Sequence, residues 1–150
     1  MKKNSIISTI AVIVVAGLGT LFTQLGMDWF DTLQKPTQWI PSFIIPIVWT
    51  VIYLSFAVIL FLWQQKDALP TKTIFLLIAN GVLNVLWCLT FFTLHLMFVG
   101  NIIIVINTIF AFLLVSDIYK QNEKYGIILS LYPIWLSIAT TLNTAIWILN

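Results

Sequence analysis

The chain has 150 residues, of which 61% are hydrophobic and only 8% are charged. Soluble domains carry about 25% charged residues, so this composition excludes an ordinary soluble domain and predicts a membrane protein. The net charge is only +2, and no cluster of basic residues of the kind that binds nucleic acid is present. Cys88 is the single cysteine and cannot form an intrachain disulfide, so cysteine usage does not indicate an oxidising or a reducing compartment.

Five apolar segments are long enough to cross a bilayer, at about 1.5 Å of helix rise per residue. The first follows Lys2 and Lys3, a start that also resembles a secretory signal. Because the apolar run is long and lacks a clean small-x-small cleavage site, we predict an uncleaved helix. The sequence therefore predicts an all-α membrane protein, a single domain over residues 1–150 folded as a bundle of five transmembrane helices. Their predicted bounds are 5–25, 42–64, 72–92, 96–116 and 126–149.

The segments between the spans predict how the bundle is arranged. Residues 26–41, called loop one here, form the only sizeable polar stretch, and its prolines and tryptophans predict an ordered loop at the membrane interface. The third and fourth spans are separated by a turn of about three residues, so they should pack as antiparallel neighbours. Six of the seven lysines fall on the amino-terminal side of the bundle and only Lys35 on the other. This bias predicts a cytoplasmic amino terminus, with loop one and the carboxy terminus outside a bacterial cell membrane.

Polar side chains within the spans predict a binding site. Trp49, Asn84 and Asn143 each lie roughly 10–12 Å from the loop-one end of their helix, and Asn101 lies close to that depth. Spaced at helical intervals, Asn80, Asn84, Trp87 and Phe91 share one face, and Trp135, Ala139, Asn143 and Trp147 recur every fourth residue. Lipid offers an amide no partner, so these faces should turn inward. We predict a cavity that opens outward under loop one, with aromatic walls and a few polar anchors.

A structural interpretation stands beside this one. Asparagines on helix faces can simply link helices through hydrogen bonds. Four tryptophans near span ends, Trp29, Trp39, Trp63 and Trp147, fit an aromatic belt at the membrane interface. The positions of Trp49 and Trp135, well inside their helices, leave core packing and ligand binding as alternatives.

Four motifs resemble those of the TspO/MBR family, the tryptophan-rich sensory proteins related to the mitochondrial translocator protein. Loop one carries Trp29-Phe30-x-x-Leu33-x-Lys35-Pro36, similar to the family's W-Y-x-x-L-x-K-P. The second span carries Pro46-x-x-Trp49-x-x-x-Tyr53, and the third carries Leu83-Asn84-x-x-Trp87-x-x-x-Phe91-Phe92. The fifth carries Trp135-x-x-x-Ala139-Thr140-x-Leu142-Asn143-x-x-x-Trp147.

Three positions depart from the family pattern. Trp39 is shifted by one residue in loop one, and Ile40 replaces the first proline of a pair. Pro133 precedes Trp135 by two residues, where the family places a proline four residues before the tryptophan. No basic residue follows Gly126, so the cholesterol-recognition pattern of animal members is not carried over.

The resemblance implies a five-helix bundle, often a homodimer, that binds porphyrins such as protoporphyrin IX under the first loop. It also implies a possible light-dependent degradation of porphyrin, in which Trp49 and Trp135 would take part, with no obligatory cofactor and no metal. Aromatic side chains would stack on the flat ring, Asn84 and Asn143 would donate hydrogen bonds, and Lys35 would meet a propionate. The predicted ligand-binding residues are Trp29, Lys35, Pro36, Trp39, Trp49, Tyr53, Asn84, Trp87, Trp135, Ala139 and Asn143.

Other functions have less support in the sequence. No acidic or basic residue interrupts the predicted spans, since Asp117 falls just past the end of the fourth, which disfavours an acid–base enzyme and a proton-coupled pump. His95, in a predicted loop, is more typical of a solvated side chain than of a haem ligand, and Cys88 on an apolar segment is more typical of packing than of a nucleophile. The alternatives are a passive transporter of porphyrins or small molecules, and a structural assembly protein without a ligand.

Overall fold

The computed structural model describes residues 3–37 and 40–150. In this part of the chain helices follow one another without a β-strand. They are α1 (Lys3–Leu25), α2 (Met27–Asp31), α3 (Ile44–Lys66), α4 (Thr71–Cys88), a π-helical turn (Leu89–Thr93), α5 (Met97–Gln121), α6 (Glu123–Leu129) and α7 (Leu131–Leu149).

Five segments of 23 to 27 residues are long and apolar enough to cross a membrane. They are α1, α3, α4 with the π turn, α5, and α6 with α7. At about 1.5 Å per residue each exceeds the roughly 30 Å of a bilayer's hydrocarbon core. Large apolar side chains face outward along them, with Ile13 61% and Ile148 73% exposed, as expected of surfaces that contact lipid. The predicted all-α bundle of five transmembrane helices is confirmed.

The five segments close into a ring in which α1 packs on α3 and α4, and α5 packs on α4 and α7. The ring is completed where α3 meets α6 and α7. The turn between α4 and α5 spans residues 94–96, which confirms the predicted antiparallel neighbours. His95 reverses the chain there in a left-handed conformation, with φ of 59°. This turn, loop one and Asn150 all lie at the same end of the bundle, called the loop-one end here.

The last turn of the third span is widened into a π helix. The Leu94 amide donates to the Leu89 carbonyl at 2.9 Å, and the Leu96 amide donates to the Thr90 carbonyl at 2.8 Å. The Thr93 hydroxyl donates across to the Phe22 carbonyl of α1 at 2.7 Å. Such widened turns displace side chains from their regular positions, and this one lies directly under loop one.

The prediction that the fourth helix ends at residue 116 is wrong, because α5 continues to Gln121. Asp117 and Gln121 are four residues apart and share one face, and both bond Thr73 of α4. The Thr73 hydroxyl donates to Asp117 Oδ2 at 2.7 Å, and Gln121 Nε2 donates to the same oxygen at 3.0 Å and to the Thr73 hydroxyl at 3.0 Å. Asp117 and Gln121, which the sequence assigned to a loop, therefore extend the helix, because their hydrogen-bond partner Thr73 lies on the adjacent helix α4.

The fifth span begins at Glu123, three residues before the predicted start, and is interrupted at Ser130. The Asn122 side chain caps α6 by accepting from the Tyr125 amide at 3.2 Å. Pro133 has no N–H to donate to the carbonyl of Leu129, four residues earlier, which explains a break at this place. At the other end of the bundle, α3 begins at Ile44, not at 42, and Pro46 occupies its first turn as predicted.

Replacing Asp117 by asparagine is expected to destabilise the bundle by about 1–3 kcal/mol. The Asp117 carboxylate is only 12% exposed and also pairs with Lys72 at 3.1 Å. Asparagine at this position would lose the ion pair, and its amide N–H would face one of the groups that now donate to the carboxylate. Asp31, 67% exposed in its pair with Lys35, provides the matched control. Asp31→Asn should change the unfolding free energy by under about 0.5 kcal/mol. Reversible unfolding in mixed micelles measures both, and equal effects would contradict the assignment.

Candidate functional site

An aromatic cluster is centred on Trp49 in the loop-one half of the bundle. Its ring stacks on Tyr53, one turn further along α3, with centroids 5.7 Å apart and planes 26° apart. Trp87 of α4 lies 6.1 Å away at 34°, and Tyr132 of α7 meets the same ring edge-on at 6.4 Å. Three helices therefore bring four aromatic side chains together, two of them tryptophans that the sequence placed on inward faces.

Two asparagines connect to this cluster through hydrogen bonds. Asn84 is 2% exposed and its Nδ2 donates to the Tyr53 hydroxyl at 2.7 Å. Asn143 of α7 is 4% exposed and its Oδ1 accepts from Trp87 Nε1 at 3.1 Å. Asn143 Nδ2 donates in turn to Asn101 Oδ1 on α5 at 3.3 Å. The amides thus join α3, α4, α5 and α7 at one depth.

Asn84 Oδ1 is buried and has no hydrogen-bond partner among the described residues, and the same holds for Nε1 of Trp135, three residues after Tyr132 on α7. Nδ2 of Asn107, whose Oδ1 lies 3.5 Å from the Tyr132 hydroxyl, is likewise buried and unpartnered. Trp135 is 6% exposed on α7, and Ala139, one turn further towards the loop-one end, packs half-buried against the same core. One acceptor and two donors are therefore available to a ligand without breaking an existing bond.

Loop one approaches the site through its helical start. Trp29 in α2 stacks on His95 with ring centroids 4.1 Å apart and planes 16° apart, and meets Phe91 edge-on at 6.0 Å. Trp29 thus covers the turn between α4 and α5. Lys35 pairs with Asp31 at 3.1 Å and lies 4.5 Å above the Phe30 ring, so its charge is engaged within the loop.

The second half of loop one is fastened to the end of α7. The Gln34 amide donates to Asn150 Oδ1 at 2.9 Å, and Asn150 Nδ2 donates back to the Gln34 carbonyl at 2.9 Å. We call this reciprocal pair the Gln34–Asn150 latch. Pro36 follows it, half-buried. Trp39, a predicted site residue, lies outside the described residues.

The structure brings together most of the predicted binding residues of the helices, but in direct contact with one another. A flat guest between Trp49 and Trp87 would require these rings to separate. A hollow of about 280 Å³ lies instead at the surface of the loop-one end, beside Trp147 and Phe98, whose rings are 5.3 Å apart. Its lining consists of Leu96, Met97, Phe98, Val99, Trp147 and Asn150. None of these is among the predicted binding residues.

Comparison with known proteins identifies the chain. A profile of the TspO/MBR family matches residues 8–148, nearly the whole length. The chain belongs to the TspO/MBR family. With its five candidate spans, this TspO/MBR protein is an integral, multi-pass membrane protein.

Three relatives of this TspO/MBR chain are distant but align over most of their length. "Tryptophan-rich protein TspO" of Archaeoglobus fulgidus is 29% identical over 148 residues, which cover 95% of this chain and 94% of the relative. "Protein CrtK" of Rhodobacter capsulatus is 27% identical over 126 residues, 81% of this chain and 78% of the relative. "Tryptophan-rich sensory protein" of Cereibacter sphaeroides is 24% identical, with 77% and 73% covered.

Sequence reasoning missed two residues next to the site of this TspO/MBR protein. Tyr132 is 5% exposed and touches both Trp49 and Phe56, the latter edge-on at 5.3 Å. It lies three residues before Trp135, a helical spacing that could have placed it on the same face. Asn107, fully buried on α5, has its Oδ1 3.5 Å from the Tyr132 hydroxyl. Asn107 is a lone amide in an apolar segment, so the argument that placed Asn84 on an inward face applies to it as well.

In the described ranges, no three His, Cys, Asp or Glu side chains come together in a way that could hold a metal ion. The site of this TspO/MBR protein consists of indoles, phenols and carboxamides. It offers hydrogen bonds and flat apolar surfaces, which suit binding better than acid–base chemistry.

Proposed function

We propose that this TspO/MBR protein is a membrane sensory or translocator-type protein that binds a tetrapyrrole such as protoporphyrin IX. The guest would lie between α3, α4 and α7, beneath loop one. The observation that supports this most directly is the convergence of Trp49 and Trp87 with the amides of Asn84 and Asn143 from three helices. The printed names of the relatives, "tryptophan-rich sensory protein" among them, agree with a sensory role.

The chemistry of the cluster matches a flat aromatic guest. Indole and phenol rings stack on a conjugated macrocycle, and each aromatic pair adds about 0.5–1.5 kcal/mol beyond burial of area. Trp49 is half-buried and makes ring contacts but no hydrogen bond with the described side chains, so it can turn aside without breaking such a bond. The ring nitrogens of a porphyrin would then meet the Asn84 Oδ1 acceptor, while Trp135 Nε1 offers a donor.

The propionates of such a guest would point to the loop-one end. Lys35 is the cation on that side, and its pair with Asp31 is exposed, with the carboxylate 67% accessible. An exposed pair of this kind contributes only about 0–1 kcal/mol, so a propionate can replace Asp31 at little cost. Lys35 thereby keeps its predicted role, through an exchange of partners.

Tryptophan-fluorescence titration of the protein in nanodiscs with protoporphyrin IX tests this proposal. We expect saturable quenching, and at least about tenfold weaker binding, or about 1.4 kcal/mol, in the double variant Trp49→Phe plus Trp135→Phe. Trp147→Phe is the matched control, because Trp147 contacts Phe98 at the surface hollow, and it should bind like the parent. Quenching that rises linearly and stays the same in the double variant would favour a structural protein without a ligand.

Illumination of the same samples separates binding from photochemistry. A light-dependent loss of porphyrin absorbance that disappears in the Trp49→Phe, Trp135→Phe variant would assign the degradation to these indoles. Equal loss in both proteins would leave a binding or passive transport role. Transport is then measured as protoporphyrin IX exchange across proteoliposomes.

A further inference from the structure

Most neighbouring helices of the bundle are joined by side-chain hydrogen bonds. The Gln64 amide donates to the Ser8 hydroxyl between α3 and α1 at 2.6 Å, and Thr108 and Thr140 bond between α5 and α7 at 2.9 Å. Thr73 joins α4 to α5, and the Asn84–Tyr53 bond joins α4 to α3, which α1 separates in the ring. Each of these bonds would be left unmade in lipid if the helices parted.

The seam between α3 and α7 is different. Between residues 44–60 of α3 and residues 131–149 of α7, all within the described ranges, no side-chain hydrogen bond crosses. Their aromatic contacts are those of Tyr132 with Trp49 and Phe56. Lipid chains are as apolar as these side chains, so parting this seam costs packing energy but no buried hydrogen bond.

A narrow crevice marks this seam on the lipid side. Ser55 and Leu131 lie at its rim, and Leu131 is 37% exposed. Phe56 and Tyr132 line the crevice more deeply, 7% and 5% exposed. Trp49 lies directly behind Tyr132, with ring centroids 6.4 Å apart. Tyr132 and Phe56 therefore separate the acyl chains from Trp49.

The backbone beside the crevice has a built-in break. Ser130 stands between α6 and α7, and Pro133 cannot donate to the Leu129 carbonyl. Among the residues that the structure describes, the Ser130 hydroxyl bonds within its own segment, to the Ile127 carbonyl at 2.7 Å. The start of α7 can thus swing about Ser130 without losing a regular helical bond at Pro133.

The loop-one end is fastened more firmly. The Gln34–Asn150 latch contributes two reciprocal bonds, and Asn150 Nδ2 also donates to the Ile146 carbonyl at 2.8 Å. Trp29 stacked on His95 covers the neighbouring turn. Moreover, this end faces water, whereas a flat apolar ligand concentrates in the bilayer.

From these observations we infer that the ligand enters sideways from the bilayer, through the seam between α3 and α7. Tyr132 and Phe56 form the gate, and the break at Ser130 is the hinge. This route rests on the proposed function, since it takes the flat apolar guest of the Trp49 site as its cargo.

Cross-linking distinguishes the two routes, in a Cys88→Ala background that keeps only the introduced thiols. Ser55→Cys with Leu131→Cys, joined by a short reducible bifunctional reagent, locks the seam. Gln34→Cys with Asn150→Cys locks the latch in the same way. Neither pair belongs to the binding site. Stopped-flow quenching by protoporphyrin IX, delivered from donor vesicles, gives association and dissociation rates, and titration gives Kd.

We expect the locked seam to slow association and dissociation together by at least about tenfold, with Kd unchanged, because a gate alters rates and not the bound state. Reduction should restore both rates, and the locked latch should leave them as in the background. The lateral route would be overturned if only the cross-linked latch slowed ligand association and dissociation, or if neither cross-link changed these rates. If the background protein shows no saturable titration, the proposed function itself fails, and the route with it.

A variant without cross-linking gives an independent measurement. Ser55→Trp should fill the crevice rim and slow both rates, whereas Ser55→Ala, which leaves the rim open, should not. Equal rates in the two variants, with folding verified by thermal unfolding, would also contradict the gate.

Discussion

Alanine at Gly26 is expected to destabilise the bundle by about 1–3 kcal/mol, or to prevent its folding, because it overpacks a backbone contact. Gly26 lies between α1 and α2, and a Cβ there would overlap the carbonyl oxygen and carbon of Phe92. These are backbone atoms of the π turn, so no side-chain rotation relieves the clash. The φ of Gly26 is −105°, which alanine adopts freely, so the effect is steric.

Gly17, within α1, provides the matched control. A Cβ at Gly17 meets no atom within 4 Å, so Gly17→Ala should be neutral or stabilising, by up to about 1 kcal/mol from helix propensity. Thermal unfolding in detergent, followed by circular dichroism, compares the two variants with the parent. A Gly26→Ala protein that melts with the parent would show that loop one does not press on the π turn as described.

Leucine at Asn143 is expected to cost about 1–3 kcal/mol of unfolding free energy, because it leaves Trp87 Nε1 as a buried donor without an acceptor. Trp87 is 7% exposed, so water cannot readily take the place of the lost oxygen. Asn101 loses one of its donors as well, although the Thr144 hydroxyl still donates to it at 2.8 Å.

A double-mutant cycle with Trp87→Phe isolates the bond between Asn143 and Trp87. Phenylalanine removes the indole N–H, so Asn143→Leu should cost less in that background, with a coupling of about 0.5–3 kcal/mol. Denaturant titration in mixed micelles measures all four proteins. Strictly additive effects would mean that the 3.1 Å contact does not stabilise the folded protein.

Much of the fold was predictable because its signals are local. Twenty apolar residues in a row define a membrane helix wherever they occur, since an unpaired backbone in lipid is too costly. The helical spacing of Asn84 with Trp87, and of Trp135 with Asn143, likewise predicted inward faces, and all four side chains are buried. The family motifs placed the same residues in one site.

Other features depended on partners far away in the chain. Asp117 looked like a loop residue until Thr73, 44 positions earlier, proved to be its partner. The Gln34–Asn150 latch joins residues 116 positions apart, and the sequence around neither residue contains a pattern that predicts the contact.

Composition and periodicity by themselves determined the class of the protein, the number of spans and the inward faces of the third and fifth spans, because solvation acts on each segment independently. Only the tertiary structure decided which amide meets which indole, how the aromatic rings contact one another around Trp49, and which seam of the ring lacks hydrogen bonds. Those outcomes depend on helix register and packing distance, which are set by many contacts at once.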